Sequence, residues 1–419
     1  MRPLFSIVIP TRDRPNLLKD AIQSALNQEF DDYEIIVSDN STNSETQKLV
    51  SEFESKKIKY FRTPRPLDMP KSWEFALSKA NGKFITFLGD DDLLPKKFLK
   101  VYSKIVSSNE NKNIKVFSHV WMGLSPVDEK SVGEKSKMQD LDGSSEEKKY
   151  RLVSFTLKNK GIVNKFDAKY IFRLKLSLVR FFAVPHISVI NKDFYDFIKN
   201  KYGRCFFNWA PDITFSVICL YELEKENGSI CKVNLPLLIA RDTHYSYGYG
   251  SRGNPDKVKE FISQFDEFNR ELIFSPFKNL ISLRNLMYDS YLNAFNIVGQ
   301  EKIYKLAGKR AVRDFHREFL LTILNELEHL SKKHEFYKKY QIKVKMYFYF
   351  WKLKNFILGL IQDRKYVEDV LKSRFKRFLK IKSEDYGYLF DKVTFEVNDL
   401  KEALNIADSI VEEKLKELS

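Results

Sequence analysis

Three consecutive carboxylates, Asp90, Asp91 and Asp92, stand directly after the apolar run Lys83–Leu88 and Gly89. Like charges this close repel unless a cation or hydrogen-bond donors neutralise them. A hard divalent ion, Mg2+ or Mn2+, is the natural partner, because such ions take oxygen ligands and are commonly held by one or two carboxylates plus substrate phosphates. A diphosphate leaving group would be bridged by that ion and its charge offset. The plainer readings are a solvated acidic turn, or Asp92 capping a helix that starts at Pro95.

The elements that position these aspartates alternate at short spacing. Phe5 to Pro10 is a continuous apolar, β-branched run, as expected of a strand buried on both faces. Pro15 opens a helix with Leu18, Ile22, Ala25 and Leu26 on one side, and Asp13 or Arg14 lies near its cap. Glu34 to Ser38 is a second strand, Glu45 to Glu54 a helix and Lys57 to Phe61 a third strand. Pro70 starts a helix that Asn81-Gly82 ends, and Lys83 to Leu88 is the fourth strand. This order implies a parallel, doubly wound α/β sheet. In such sheets ligands bind outside the carboxyl ends of the strands, where both Asp39 and the aspartate triplet fall.

Length, composition and charge bound the rest. A chain of 419 residues favours two structural units, and 43% hydrophobic residues supply packed interiors. The apolar start, Leu4 to Ile9, is too short for a secretory signal, and charges break the other apolar stretches before a spanning length. The expectation is a soluble, cytoplasmic protein. Cys205, Cys219 and Cys231 form no CxxC pair, which argues against a disulfide framework or a zinc cluster. The net charge is +15, but Ser331 to Lys382 holds 16 Lys/Arg against 4 Asp/Glu, which is +12 of it. The first 250 residues are therefore no polyanion-binding surface, and no nucleic acid is expected as partner.

The runs SIVIPTRDRPNLLKDAIQSALNQ, YEIIVSDNST and SWEFALSKANGKFITFLGDDDLLP, in this order, resemble the N-terminal half of family 2 glycosyltransferases, which have the GT-A fold. The resemblance covers about the first 100 residues. It implies that Pro10, Thr11 and Arg14 line a nucleotide pocket, that Asp39 binds the base, usually uracil, and that Asp90-Asp91-Asp92 is the DxD element holding metal and sugar diphosphate. Gly89 stands where many members carry the first Asp of DxDD. Asp92 is the favoured metal ligand, with Asp90 a second one, and Asp90 or Asp91 the contact to ribose or sugar.

The resemblance also implies an acid in the second half that serves as general base. Asp212, in Trp209-Ala210-Pro211-Asp212, fits that place; read alone, it is a helix N-cap. After the strand-like Leu235 to Ala240, Arg241 would touch the diphosphate and His244 the metal, and His186 in PHISVI reads as a core or acceptor-pocket residue. Gly248, Gly250 and Gly253 permit either a mobile loop over the donor or a linker.

These features set the expected organisation: a GT-A, Rossmann-like, mostly parallel catalytic domain over 1–253 with a polar excursion at about 125–149, then a helical, basic region over 254–419. The expected function is inverting transfer from a nucleotide-sugar donor, a UDP-sugar, to a glycan or lipid-linked acceptor in cell-surface polysaccharide assembly. The basic, aromatic segments Lys343 to Ile361 and Arg374 to Lys382 fit either an anionic membrane surface, which would hold the enzyme peripherally at the inner face of the cell membrane, or a bundle packed on the core. A nucleotidyltransferase would need a glycine-rich loop after the first strand, and TRDRPN has none. A basic scaffold or nucleic-acid-binding protein using the tail is the non-enzymatic alternative.

Overall fold

The chain is described by a computed structural model over residues 2–126, 150–157, 160–174, 176, 182–241, 255–265, 274–333, 335–362 and 390–416. Strand β1 (Phe5–Thr11) is buried along nearly its whole length, and its side chains feed two separate cores. Phe5, Ile7 and Ile9 point to one; Val8 points to the other. A strand covered on both faces needs helices on both. Helix α1 (Pro15–Leu26) gives Leu18, Ala21, Ile22 and Ala25 to the first core. Strand β2 (Tyr33–Asp39), helix α2 (Glu45–Ser51) and strand β3 (Ile58–Arg62) follow, and helix α3 (Met69–Lys79) then gives Ala76 and Leu77 to the second core. Strand β4 (Phe84–Phe87) completes the expected alternation, each element ending within a few residues of its sequence reading.

These four strands are parallel, in the order β3-β2-β1-β4. The chain therefore steps outward from β1 in both directions, and the carboxyl ends of β1 and β4 are where sheets of this kind bind their ligands. Pro10 is paired with Ser38 of β2, while on its other side the β1–β4 ladder has already stopped at Val8 and Phe87, so β4 does not need its missing N–H.

Beyond β4 the sheet is mixed. After helix α4 (Phe98–Ser107) come β5 (Val116–Pro126), β6 (Tyr150–Leu157), β7 (Val163–Asp167), helix α5 (Ala168–Leu174), β8 (Ser188–Asn191), helices α6 (Lys192–Tyr202) and α7 (Pro211–Lys225), and β9 (Ser229–Arg241). Strand β8 pairs antiparallel with both β4 and β5, and β9 runs parallel to β5. Of the polar excursion, residues 127–149 lie outside the described residues.

The helices Leu283–Val298, Lys309–Lys333 and Phe336–Gln362 continue the core on the α3 and α7 side, through Tyr291, Phe315, Phe319 and Val344. The expectation of helix all the way to the end is corrected by β10 (Phe390–Val397), which joins the sheet edge antiparallel to β6. Its signal was there, since Val393, Phe395 and Val397 alternate with Lys392, Thr394 and Glu396, the period of a strand. The last helix, Leu400–Leu415, puts Ala403 and Ala407 into the same apolar cluster as Leu93, the residue immediately beyond the aspartate triplet. Among the described residues no helix is long and apolar enough to cross a membrane.

Candidate active site

The aspartate triplet leaves the sheet where β4 ends. Asp90 is buried, and its Oδ2 accepts a 2.6 Å hydrogen bond from Thr11 Oγ1, the last residue of β1. Arg14, from the turn after β1, places Nε 3.0 Å from the same oxygen, Nη2 against Oδ1 and Nη1 3.4 Å from Asp91 Oδ2. Burial pushes the Asp90 carboxyl above its ordinary value, while Arg14 and Thr11 pull it back. Asp92 is raised further, by burial first and then by Asp91. Its Oδ1 accepts only the Arg241 backbone N–H among the hydrogen bonds resolved here, at 3.3 Å.

Gly89 has a steric role in this turn. A Cβ there would lie 2.7 Å from Asp92 Oδ2 and 3.0 Å from Asp91 Oδ1, closer than a methyl group tolerates. The two carboxylates therefore converge over the bare Cα of Gly89, in space any side chain would claim. Carboxylate oxygens are the donors that hard divalent cations take, although Arg14 already stands beside Asp91, and among the described residues no group of three or more His, Cys, Asp or Glu is gathered to hold a metal.

Asp39, at the end of β2, lies fully buried beside the end of β1. It is paired in register with Thr11 on one side and with Arg62 on the other. Its Oδ1 accepts from the Ser41 N–H at 2.8 Å, its Oδ2 from Tyr60 Oη at 2.6 Å, and Arg62 Nη1 stands 3.7 Å away. Burial, then the bond to Asp39, pushes the Tyr60 phenol up to about 12, so it stays a donor. Asp13 adopts a left-handed conformation, φ 55°, and its Oδ1 accepts from the Thr42 N–H at 2.8 Å. That bond ties the turn after β1 to the turn after β2. The sequence reading placed Asp13 only near the helix cap, a position Arg14 takes, and it missed Tyr60 and Arg62, which the parallel register of β3 sets beside Asp39.

The second half of the chain brings a histidine, His186, within electrostatic reach of the triplet. The ladder between β4 and β8 pairs Phe84 with Asn191 and Ile85 with Ile190. Just before β8 the chain turns through a short 3-10 helix, Pro185–Ile187, which carries His186. Burial holds the His186 imidazole below its ordinary value, while Asp212 first and Asp91 second pull it upward. The histidine therefore feels the triplet and the acid of α7 at once.

Asp212 is the second residue of α7 and is partly exposed, whereas Ile213 to Leu223 are all buried. Ala210 holds the cap position, so Asp212 is not the N-cap that it resembles in isolation. The turn before it is pinned from the helix Leu283–Val298. Asn208, at φ 56°, donates from Nδ2 to Asp289 Oδ2 at 2.9 Å, and Ala210 N–H donates to Ser290 Oγ at 3.2 Å.

Arg241 comes to the triplet by a different route from the one expected. Its Nε donates to the Asp91 carbonyl, its Nη1 lies 2.8 Å from Asp20 Oδ2 and its Nη2 donates to the Leu17 carbonyl at 3.1 Å. The guanidinium is buried and braces the triplet's backbone against α1. His244 and the glycines Gly248, Gly250 and Gly253 lie outside the described residues. The three cysteines are free and buried, and burial pushes each thiol up, so none is a nucleophile.

A family model described as glycosyl transferase family 2 matches residues 6–117. Over 95 residues the chain is 40% identical to the GalNAc(5)-diNAcBac-PP-undecaprenol beta-1,3-glucosyltransferase of Campylobacter jejuni, a match covering 22% of this chain and 31% of that one. Over 90 residues it is 30% identical to the UDP-Glc:alpha-D-GlcNAc-diphosphoundecaprenol beta-1,3-glucosyltransferase of Escherichia coli, covering 22% and 36%. The matched segment thus spans about a third of the length of these curated relatives. Among solved structures, S. aureus TarS residues 1–349 with UDP-GlcNAc is similar at a TM-score of 0.42 and 14% identity, over 78% of this chain and 81% of that one.

Proposed function

We propose, for a chain whose residues 6–117 belong to glycosyl transferase family 2, that the site at the ends of β1 and β4 binds a nucleotide-diphosphate sugar and passes its sugar, with inversion, to a hydroxyl group. The observation that carries this reading is the convergence of Thr11, Arg14 and Asp39 with the aspartate triplet at one strand-order reversal. We assign the acid Asp212 and His186 to the acceptor side of the same site, in support of which His186 feels the charges of both Asp212 and Asp91.

Asp39, with Tyr60 and Arg62 holding its carboxylate, takes the base, and a uracil with its imide N–H suits an acceptor at that position. Pro10 and Thr11 line the pocket beside it. Asp92 and Asp91 would hold Mg2+ or Mn2+, which supplies countercharge to the diphosphate. Asp90 is already committed to Thr11 and Arg14, which suits it to shaping the turn and meeting ribose or sugar rather than to a full share of the metal. Arg241 braces the turn from behind, which favours a positioning role over diphosphate contact.

In the transfer, the acceptor oxygen attacks the anomeric carbon, the bond from that carbon to the diphosphate oxygen breaks, and the nucleoside diphosphate leaves. Asp212 takes the acceptor proton. Single displacement needs only that one base. The two named relatives act on sugars linked to diphosphoundecaprenol, and a lipid-linked or glycan acceptor in surface-polysaccharide assembly is the reading we adopt for this chain.

Titration calorimetry and a transfer assay test the roles separately. Asp92→Asn should lose manganese-dependent UDP binding. Asp212→Asn should bind UDP like the native chain yet turn over about 100- to 10,000-fold more slowly. Unchanged manganese-dependent UDP binding in Asp92→Asn would remove the triplet from the site.

A further inference from the structure

The helix Phe336–Gln362 has two unlike faces. Tyr337, Tyr340, Val344 and Phe348 are buried against the rest of the molecule. On the opposite side Ile342, Met346, Tyr349, Phe350 and Leu353 are each between 53% and 67% exposed. Their spacing, i, i+4, i+7, i+8 and i+11, draws one continuous stripe along a helix. A solvated helix face would carry polar residues there. An apolar stripe of this length turned to water marks a contact surface.

Lysines border the stripe on both sides. Lys338, Lys345 and Lys352 recur every seven residues along one border, and Lys343 and Lys354 stand on the other. From Phe336 to Gln362 the helix has no Asp or Glu. A protein partner or a second copy would have to bring acids to both borders and an apolar ridge between them. An anionic bilayer offers that pattern everywhere on its surface: apolar chains below, and phosphates level with lysine ends that reach outward from half-inserted stems.

We propose that this face of the helix docks the protein on an anionic lipid surface. The helix lies in the interface plane, its stripe enters the headgroup boundary, and the lysines engage lipid phosphates. The proposal stands on the helix alone and is independent of the transferase reading. The sequence left membrane docking and core packing as alternatives for this segment; the two faces divide between them.

Vesicle co-sedimentation of the full-length chain tests it, using phosphatidylcholine vesicles with and without a third of phosphatidylglycerol. The native chain should bind the anionic vesicles, lose that binding as salt rises, and leave pure phosphatidylcholine essentially unbound. Lys345→Glu with Lys352→Glu should weaken anionic binding at least about 30-fold, since each lysine near such a surface contributes roughly fivefold. Phe350→Glu with Leu353→Glu should also weaken it, and because both positions are mostly exposed, circular dichroism and melting should match the native chain. Equal binding to the two vesicle types, or native-like binding by either double variant, would overturn the proposal. So would a native dimer that the Phe350/Leu353 variant converts to monomer with vesicle binding unaltered, because the stripe would then be a self-association face.

Discussion

Arg14 Nε lies 3.0 Å from Asp90 Oδ2, and Arg14 Nη2 closes on Asp90 Oδ1, so a guanidinium from the turn after β1 is laid flat against a buried carboxylate from the turn after β4. The pair joins the two loops that flank the strand-order reversal. It also explains how a charge with almost no solvent exposure is tolerated beside two more of the same sign.

Removing one partner of such a pair strands the other. Arg14→Met should lower unfolding free energy by about 3 kcal/mol. Replacing both, Arg14→Met with Asp90→Asn, should restore much of that loss, because the stranded charge goes with it. Urea unfolding of the two single variants and the double variant reads the coupling; additive losses would mean the two side chains do not hold each other.

Two glycines, one beyond each end of β4, make opposite predictions. At Gly89 a Cβ meets only carboxylate ends, so Gly89→Ala should leave the fold intact and swing Asp91 and Asp92 aside. Manganese-dependent UDP affinity should fall about tenfold or more, the usual cost of disturbing the support of metal ligands. At Gly82 a Cβ would come within 2.5 Å of the Ser6 backbone nitrogen, which cannot swing away. Gly82→Ala should therefore cost about 2 kcal/mol of stability. Calorimetry and thermal melting on both variants check this, and a destabilised Gly89→Ala with intact affinity would contradict the steric account of the turn.

Glu34 links stability to acid. Its Oε1 accepts from Ser6 Oγ at 2.6 Å and from the Asn81 N–H at 2.7 Å, and its Oε2 meets Lys59 Nζ at 2.6 Å. Burial raises its pKa, but these partners together outweigh burial and hold the carboxyl below its ordinary value. The unfolded chain therefore binds the proton more readily, so the contribution is fully present above the ordinary carboxyl value and is lost as pH falls through the folded one. Glu34→Gln should be clearly less stable than the native chain near about pH 7, with the gap narrowing toward about pH 3. A gap that does not depend on pH would show that the carboxylate charge is not what the three donors recognise.

How much of this was legible in sequence follows from how local each signal is. The strand and helix alternation up to β4 was readable because each element's apolar pattern is dictated by the two cores it faces, as Ile7 and Val8 show by pointing to opposite sides. Thr11, Asp39 and the triplet were readable as strand-end residues for the same reason. Arg241 was seen as a cation near the site, but its commitment to Asp20 and Leu17 depends on a pairing of β9 that no local pattern predicts. Tyr60 entered only through the register of β3, and Asn208 through a helix 75 residues further on. Strand β10 had a local signal, but its place beside β6 spans a long stretch of chain and is set by tertiary packing.

That late return bears directly on the site. Leu93 pairs with Ile239 through two backbone hydrogen bonds, 3.0 and 2.9 Å, and shares an apolar cluster with Ala403 and Ala407 of the last helix. The same helix takes the Lys96 N–H on Asp408 Oδ1 at 2.8 Å and sets Glu412 2.9 Å from Lys97 Nζ. The segment just after the triplet is thus held between β9 and the end of the chain. Ala407→Leu overfills that contact and should cost about 2 kcal/mol, and because Leu93 lies one residue from Asp92, UDP affinity with manganese should drop along with the melting temperature. Asp408→Ala should cost about 1 kcal/mol, the worth of one hydrogen bond, whereas Asp408→Asn keeps an acceptor and should lose less. If Ala407→Leu lowered the melting temperature but left UDP affinity untouched, the last helix would be a stabilising strap with no hand in positioning the aspartates.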